Sequence, residues 1–521
     1  VEAHHLVIEA REVFEARRRP RSLIRHSPAL ILLIVAITDI QRWADPDLWG
    51  HVAFGRAILV NHHLAMHDMY SYSAHWHVWL NHEWLSELLM GAAYNAFGVI
   101  GLKLLKFACS AAIILFLTQG LAETEAPMTV QVAILLAVSI AIAPQLQFRP
   151  QMLTFALMSA LLAILARYNY RGSAAVWLAI PILALWANLH GGFIIGLTAL
   201  GTFSVVSLAQ DFFEGRDLRR GLLLLTIAIA SIPATLATPY GFGTWRAVAH
   251  AMTNPRTREI IDDWQPLLGA LAAMWHRNHA GAIPMLVAIA LFVALAWSCV
   301  VAPRRDDLPM VAVAAVMIAA AFVAMRNLPL AVFATAIPLG RHAAFVIGAG
   351  RVSPRGWISQ VILAAAAIVL LIGTGLLSPA LRVGSPKPVG AIAFMQEGGL
   401  SGNILTDFGW GEYVIWQMAP TSKVFIDGRY DTVYPPDVID DYLSFHYGEA
   451  GAKEVLRKYR HDFILLSADD EPALALMASA PDWMRLYRDA TCVLFVRADS
   501  DAARMPAIDV TADETPPSDF P

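Results

Sequence analysis

Between Trp43 and Trp84 the chain reads WADPDLWGHVAFGRAILVNHHLAMHDMYSYSAHWHVWLNHEW. The stretch is crowded with Asp, His and Trp, and it lies between one apolar run and a long series of them. Acidic and imidazole groups beside a bilayer are costly to desolvate, so they mark chemistry or ion handling. Asp45-Pro46-Asp47 suits a helix start, with Asp45 as N-cap and Pro46 in the first turn. That accounts for Asp45 better than for Asp47. Asp47 and His51 are four apart and share one helical face. A carboxylate there can take a proton from an acceptor, or hold a divalent cation such as Mg or Mn through hard oxygen ligands. Glu83, in Asn81-His82-Glu83-Trp84, is the second carboxylate of such a pair, or a charge favoured by a helix N-terminus. Asp68 reads as a turn residue. His62, His63, His67, His75 and His77 lack zinc-ligand spacing.

A second group lies at the predicted ends of apolar spans. Arg149 opens Arg149-Pro150-Gln151, His190 sits in Asn188-Leu189-His190-Gly191-Gly192, and Arg326 precedes Asn327. A guanidinium there either snorkels to headgroups or clamps a phosphate with two parallel hydrogen bonds. With Gln151, Asn188, His51 and His82, these residues form a candidate phosphate and substrate cradle. Asp262-Asp263-Trp264 lies in a long connection, about 239–281, that either covers the site or is a solvated turn. Near the C-terminus, Asp407–Tyr413 and Asp427-Gly428-Arg429-Tyr430-Asp431 follow predicted strands. Asp and Gly are turn residues, but the second run exceeds what a turn needs, so Asp427 and Arg429 are candidate ligand contacts.

These residues need a scaffold, and composition says which kind. Of 521 residues 57% are hydrophobic and 15% charged, against roughly 25% charged in a soluble domain. The chain therefore reads as a polytopic α-helical membrane protein. Apolar spans fall at about 28–43, 101–121, 128–144, 151–167, 174–189, 193–212, 221–238, 282–301, 308–325, 328–346 and 357–378, eleven in all. Residues 84–97, short and carrying Glu87 and Asn95, read as an interfacial helix. The large first outer loop then covers 44–100 within a membrane module of 28–380. Residues 381–500 alternate short strands with helices and read as an α/β domain. Residues 501–521 read as a disordered tail.

Basic residues set the orientation. Arg11, Arg17, Arg18, Arg19, Arg21 and Arg25 place the N-terminal segment 1–27 in the cytoplasm. Arg167 and Arg171, Arg216, Arg219 and Arg220, Arg304 and Arg305, and Arg351 and Arg355 fall on the same side. The candidate site residues and the C-terminal domain then lie outside the cytoplasm. A net charge of −4 gives no hint of a nucleic-acid partner, and three cysteines form no metal or disulfide pattern. No cleavable signal peptide, Walker loop or Rossmann fingerprint is expected.

On these residues the chain resembles the GT-C class of integral-membrane glycosyltransferases. The shared patterns are D-x-W-x-H at Asp47–His51, N-H-E-W-L at Asn81–Leu85, R-P-Q at Arg149–Gln151 and N-L-H-G-G at Asn188–Gly192, as in poorly characterised bacterial members. The run Asp407–Trp416 is faintly similar to the Trp-Trp-Asp-Tyr-Gly signature of oligosaccharyltransferases, in a different order. The resemblance implies a protein of the bacterial inner membrane that transfers a sugar, with inversion, from a polyprenyl-phosphate-linked donor to a glycan, lipid or protein acceptor. It implies Asp47 or Asp45 as general base, and Arg149, His190 or Arg326 at the phosphate. Two rival readings stand beside it. One is a transporter of lipid-linked glycans, which should show inverted repeats or broken helices. The other is a non-catalytic scaffold of an envelope assembly complex.

Overall fold

The structure is a computed structural model that describes residues 23, 27–40, 43–254, 262–347, 357–511 and 519–520. The Arg-rich start of the chain, Arg351 and Arg355 lie outside the described residues, as do residues 512–518. A helix occupies every apolar span read from the sequence, from Pro28–Thr38 through Gln151–Arg171 to Trp357–Gly373. Six of the described helices are long and apolar enough to cross a bilayer by length and composition. The chain is a multi-pass membrane protein. The helix Trp357–Gly373 packs against the helix Pro28–Thr38, closing the bundle. A buried ion pair, Lys106 Nζ to Asp39 Oδ1 at 3.0 Å, ties the first helix to the long helix Trp84–Ala122. Each charge keeps the other tolerable in apolar surroundings.

The helix Trp84–Ala122 is broken where the sequence expects an interfacial arm to end. Gly98 there takes φ +59°, a left-handed conformation that glycine adopts without strain. Its first arm packs across the helix Leu48–Asn61 at a crossing of two glycines. A Cβ on Gly91 would lie 2.6 Å from the carbonyl carbon of Gly55, and one on Gly55 would collide with the Glu87 carbonyl. This contact brings Asp47 and His51 of one helix beside Glu83 and Glu87 of the other. The connection 239–281 is not a plain loop. It contains the helices Phe242–Thr253 and Leu267–Arg277.

Among the described residues nine strands build the C-terminal region, one of them, β1, contributed by the first loop: β1 (Trp43–Ala44), β2 (Leu381–Val383), β3 (Asn403–Thr406), β4 (Lys423–Val424), β5 (Phe463–Ser467), β6 (Trp483–Arg488), β7 (Cys492–Arg497), β8 (Ile508–Asp509) and β9 (Asp519–Phe520). Six form one mixed sheet in the order β4-β3-β5-β7-β6-β8. The inner strands β5 and β7 are almost wholly buried, which explains their continuous apolar runs. The other three form a small sheet, β1-β2-β9, in which β1 runs parallel to β2. The first loop is thus stitched to the C-terminal region. Val424 N–H donates to Tyr70 O, Tyr72 N–H to Val424 O and Leu80 N–H to Thr432 O.

Residues 501–521 were expected to be disordered, and the described part of them is not. Asp501–Arg504 forms a helical turn, β8 extends the large sheet, and β9 closes the small one. Phe520 is fully buried, with its ring 5.2 Å from Trp49, 5.8 Å from Tyr94 and 5.8 Å from Trp416. Burial of one aromatic outweighs the polar composition around it.

Replacing Gly91 by valine should force the two arm helices apart and destabilise the protein by about 1–3 kcal/mol. A lowered midpoint of thermal unfolding checks this, with Gly98→Asn, at an open left-handed position, as the mild control.

Candidate functional site

A cavity of about 560 Å³ opens where the first loop, the ends of the membrane helices and the C-terminal region meet. Asp45, Asp47, His51, His82, Glu83, Arg149, Gln151, His190, Arg326 and Arg429 all line it. Asn188 and Asp427 do not. Asn188 accepts a hydrogen bond from Trp84 Nε1 at 3.2 Å and donates to the carbonyls of Ala184 and Ala237. It joins three segments behind the wall. Asp427 is fully buried beneath Arg429.

Asp45 sits where the chain turns into the helix Leu48–Asn61. Its Oδ1 accepts the Asp47 N–H at 3.0 Å, and its Oδ2 lies 2.5 Å from Arg149 Nε. Burial pushes the Asp45 carboxyl up, and Arg149 opposes that. Arg149 also reaches Asp47 Oδ2 at 3.5 Å and Asp263 Oδ2 at 3.2 Å. Three carboxylates therefore surround one guanidinium. They hold it above its ordinary value against burial, and they leave it organising the acids rather than open to a phosphate.

Across the crossing helices, His51 Nδ1 lies 3.3 Å from Glu87 Oε1, and Asn81 Nδ2 donates to Glu87 Oε2 at 2.5 Å. Burial disfavours charge on His51, but the Glu87 hydrogen bond and the Glu83, Glu87 and Asp47 charges raise it to about 9. One ligand atom each from His51, Glu83 and Glu87 lie within 4.8 Å of one another. That set of one nitrogen and two oxygens fits a divalent cation. Asp47 is outside the trio, engaged by Arg149. Glu87 was read from the sequence only as a polar mark on the arm. Its spacing of four from Glu83, on one helix face, is the signal that finds it.

His190 is fixed by its neighbours. Gly192 N–H donates to His190 Nδ1 at 2.9 Å, so the ring proton belongs on Nε2, which faces Glu83 Oε1 at 3.4 Å. Burial lowers the imidazole to about 3, so it is a neutral donor. Burial also pushes Glu83 up, but His82, His190, His51 and Arg326 together hold its carboxyl below the ordinary value. Arg326 has its guanidinium carbon 4.4 Å from the centre of the Trp264 ring. Among the described residues no carboxylate lies within ion-pair distance of it, and burial pulls it below its usual value. Gln151 Nε2 donates to the Arg326 carbonyl at 3.4 Å. Trp264 and Asp263 thus each cover an arginine of the site, and Met325 N–H secures the same segment at Gln265 O, 2.9 Å away.

The C-terminal wall is held by Arg429. Its side chain is buried against Phe54, Tyr70 and Trp79, donates twice to Asp427 at 2.7 and 2.8 Å, and reaches Asp68 Oδ1 at 2.6 Å. Asp68, read as a turn residue, does turn the chain, accepting the N–H groups of Tyr70 and Ser71. It is also the first loop's anchor for Arg429. The turn Asp407–Glu412 forms a second part of the wall. Asp407 accepts the Gly409 N–H, Trp410 Nε1 donates to Pro386 O, and buried Lys387 Nζ donates to Gly409 O at 2.6 Å. Lys387 was missed in the sequence, since a single charge in a connector carries no spacing signal, and Glu412 stood within the run Asp407–Tyr413 without being singled out from it.

No family model and no curated protein matches the chain. Solved structures do. The archaeal oligosaccharyltransferase AglB from Archaeoglobus fulgidus, in complex with an inhibitory peptide and a dolichol-phosphate, aligns over 86% of this chain and 70% of its own at TM-score 0.54 and 12% identity. The same organism's oligosaccharyltransferase in complex with Zn and sulfate aligns over 84% and 68% at TM-score 0.52 and 12% identity. Mycobacterial arabinofuranosyltransferase AftD aligns over 91% of this chain and 41% of its own at TM-score 0.52 and 13% identity. The fold is that of the GT-C glycosyltransferases.

Removing Arg149 should leave Asp45 buried without its cation. Arg149→Ala is expected to cost about 3–5 kcal/mol of stability, with Arg149→Lys milder. Thermal unfolding of the two variants in detergent measures the difference.

Proposed function

We propose that the protein is a membrane glycosyltransferase that takes a sugar from a polyprenyl-phosphate-linked donor. The observation that carries this reading is the sharing of one cavity by a set of carboxylates and by Arg326, a guanidinium that forms no ion pair among the described residues. The former suit an acceptor and a base, the latter a phosphate. AglB, which shares the fold, was solved with a dolichol-phosphate, and that supports a lipid phosphate here. Arg326 is the residue for it, with the Nε2–H of His190 as a second donor. Arg149, already ringed by Asp45, Asp47 and Asp263, holds the acidic side in place.

In the reaction, Asp47 takes the proton of an acceptor hydroxyl or amide. The acceptor atom bonds to the anomeric carbon from the face opposite the phosphate. The bond from that carbon to the phosphate oxygen breaks, and its electron pair leaves on the phosphate. The leaving group is already an anion, so Arg326 stabilises developing charge rather than supplying a proton. His51, Glu83 and Glu87 would hold a divalent cation, Mg or Mn, which supplies further charge stabilisation when bound. The related oligosaccharyltransferase was solved with Zn, which supports a cation in this region. The positive-inside pattern supports an extracytoplasmic site, in the inner membrane of a bacterium.

Purified protein given polyprenyl-phosphate sugars should release lipid phosphate. Asp47→Asn and Glu83→Gln should each lower kcat by at least ~100-fold. Arg326→Ala should weaken undecaprenyl phosphate binding roughly tenfold, a loss of about 1.4 kcal/mol. Turnover that persists in folded Asp47→Asn would remove the enzyme reading. Movement of labelled lipid across vesicles with no acceptor present would favour a transporter. Mn²⁺ or Mg²⁺ should raise the unfolding temperature of the wild type and not of Glu87→Gln.

A further inference from the structure

The turn Asp407–Glu412 places a carboxylate from the C-terminal region against the helix that begins at Asp47. Glu412 Oε2 accepts the N–H of Gly50 at 3.1 Å. This amide lies in the first turn of the helix Leu48–Asn61, where backbone N–H groups have no partner within the helix. A carboxylate there is also favoured by the helix dipole. Glu412 is 3% exposed, so water does not compete for the bond.

Its other oxygen faces Asp47. A Cβ added to Gly428 would lie 2.6 Å from Asp47 Oδ1 and 2.8 Å from Glu412 Oε1. Both oxygens therefore flank one small volume that only a glycine leaves free. A Cβ on Gly50 would collide with the Glu412 carboxylate in the same way. Two glycines from distant parts of the sequence thus make room for two carboxylates, and the four residues interlock. Asp47 is fixed from two directions: Arg149 takes Oδ2, and Glu412 with Gly428 bounds Oδ1.

The support behind Glu412 is itself built. Lys387 Nζ holds Gly409 O and stands 5.2 Å from the centre of the Trp49 ring, so the turn carrying Glu412 is braced against the same helix. Arg429, next to Gly428, is locked to Asp68 of the first loop. Nothing in this arrangement requires a substrate to assemble it.

We propose that Glu412 is a positioning residue for Asp47: the C-terminal region reaches into the site through it, capping the Asp47 helix at Gly50 and bounding the Asp47 carboxylate across Gly428. The kinetic part of this inference rests on the glycosyltransferase reading above. The structural part does not. Glu412 acts through Asp47, so its loss should reduce the rate of transfer while leaving the lipid-phosphate end of the cavity intact. Burial, with Asp47 and Asp427 nearby, pushes the Glu412 carboxyl well above its ordinary value. A glutamine keeps the oxygen that accepts the Gly50 N–H, so a neutral side chain of the same shape should serve.

The test uses the full-length protein in detergent and three variants: Glu412→Ala, Glu412→Gln and Gly428→Ala. Hydrogen exchange of the segment Asp47–Val52 is read first and needs no substrate. Glu412→Ala should lose protection there by tenfold or more, and Glu412→Gln should keep it. Turnover of a polyprenyl-phosphate sugar is read second. Glu412→Ala and Gly428→Ala should lower kcat by ~10- to 100-fold with undecaprenyl phosphate affinity within twofold of wild type, and Glu412→Gln should retain most of the rate. Unchanged exchange in Glu412→Ala would overturn the cap. Lost protection with wild-type kcat would overturn the positioning role, as would a Glu412→Gln variant as slow as Glu412→Ala. If wild-type protein releases lipid phosphate from no donor, the glycosyltransferase reading fails and the exchange arms still decide the contact.

Discussion

The site depends on keeping several carboxylates together in a partly dry cavity. Asp45, Asp47, Glu83, Glu87, Asp263 and Glu412 all lie at or beside it. Like charges at such distances repel strongly when water is scarce. The structure answers with separate devices for separate acids. Arg149 gathers Asp45, Asp47 and Asp263, His51 bridges toward Glu83 and Glu87, and Glu412, its carboxyl pushed up by burial, is held at the Gly50 amide. Among the described residues Arg326 forms no ion pair, and on the glycosyltransferase reading proposed above it serves the phosphate.

The architecture follows from the need to bring these devices together. Residues near 47, 83, 149, 190, 326 and 412 are far apart in sequence. The glycine crossing at Gly55 and Gly91 joins the first two, and the ends of membrane helices present the next three. The last arrives because the C-terminal region is stitched to the first loop through β1, Val424 and Arg429. Arg429 shows how a buried ion pair serves specificity of docking. It is expensive to desolvate, and it is tolerable only when Asp427 and Asp68 meet it together. A slipped register between loop and sheet would leave it unpaired.

Much of this was legible in the sequence because membrane helices announce themselves by length and apolarity. A helix stands at every apolar span, and Gly98 ends the interfacial arm at the expected residue. Asp47, Glu83, Arg149, His190 and Arg326 were found because a charge or imidazole at a span boundary is rare and therefore informative. Asn188 was drawn in beside His190 and Asp427 by a strand-end run too rich for a turn, yet their side chains satisfy buried backbone and Arg429. Composition alone does not separate a buried structural polar group from an exposed functional one. The opposite failure is Phe520: a single aromatic in a polar, Pro-containing tail gives no periodic signal, and only its partners Trp49, Tyr94 and Trp416 explain its order.

The roles of the two arginines were interchangeable from the sequence, and geometry separates them. A guanidinium has five N–H donors, and Arg149 commits its own to three carboxylates, whereas Arg326 is shielded on one face by Trp264 and, among the described residues, forms no ion pair. Cation–π contact leaves the edge donors free while excluding water from the face. On the glycosyltransferase reading proposed above, a phosphate arriving from the bilayer would meet one cation beside a neutral imidazole donor. Asp45, Asp47 and Asp263 gather around Arg149 instead. Separation of the two ends is what an inverting displacement needs, because the base and the leaving group must stand on opposite faces of the sugar.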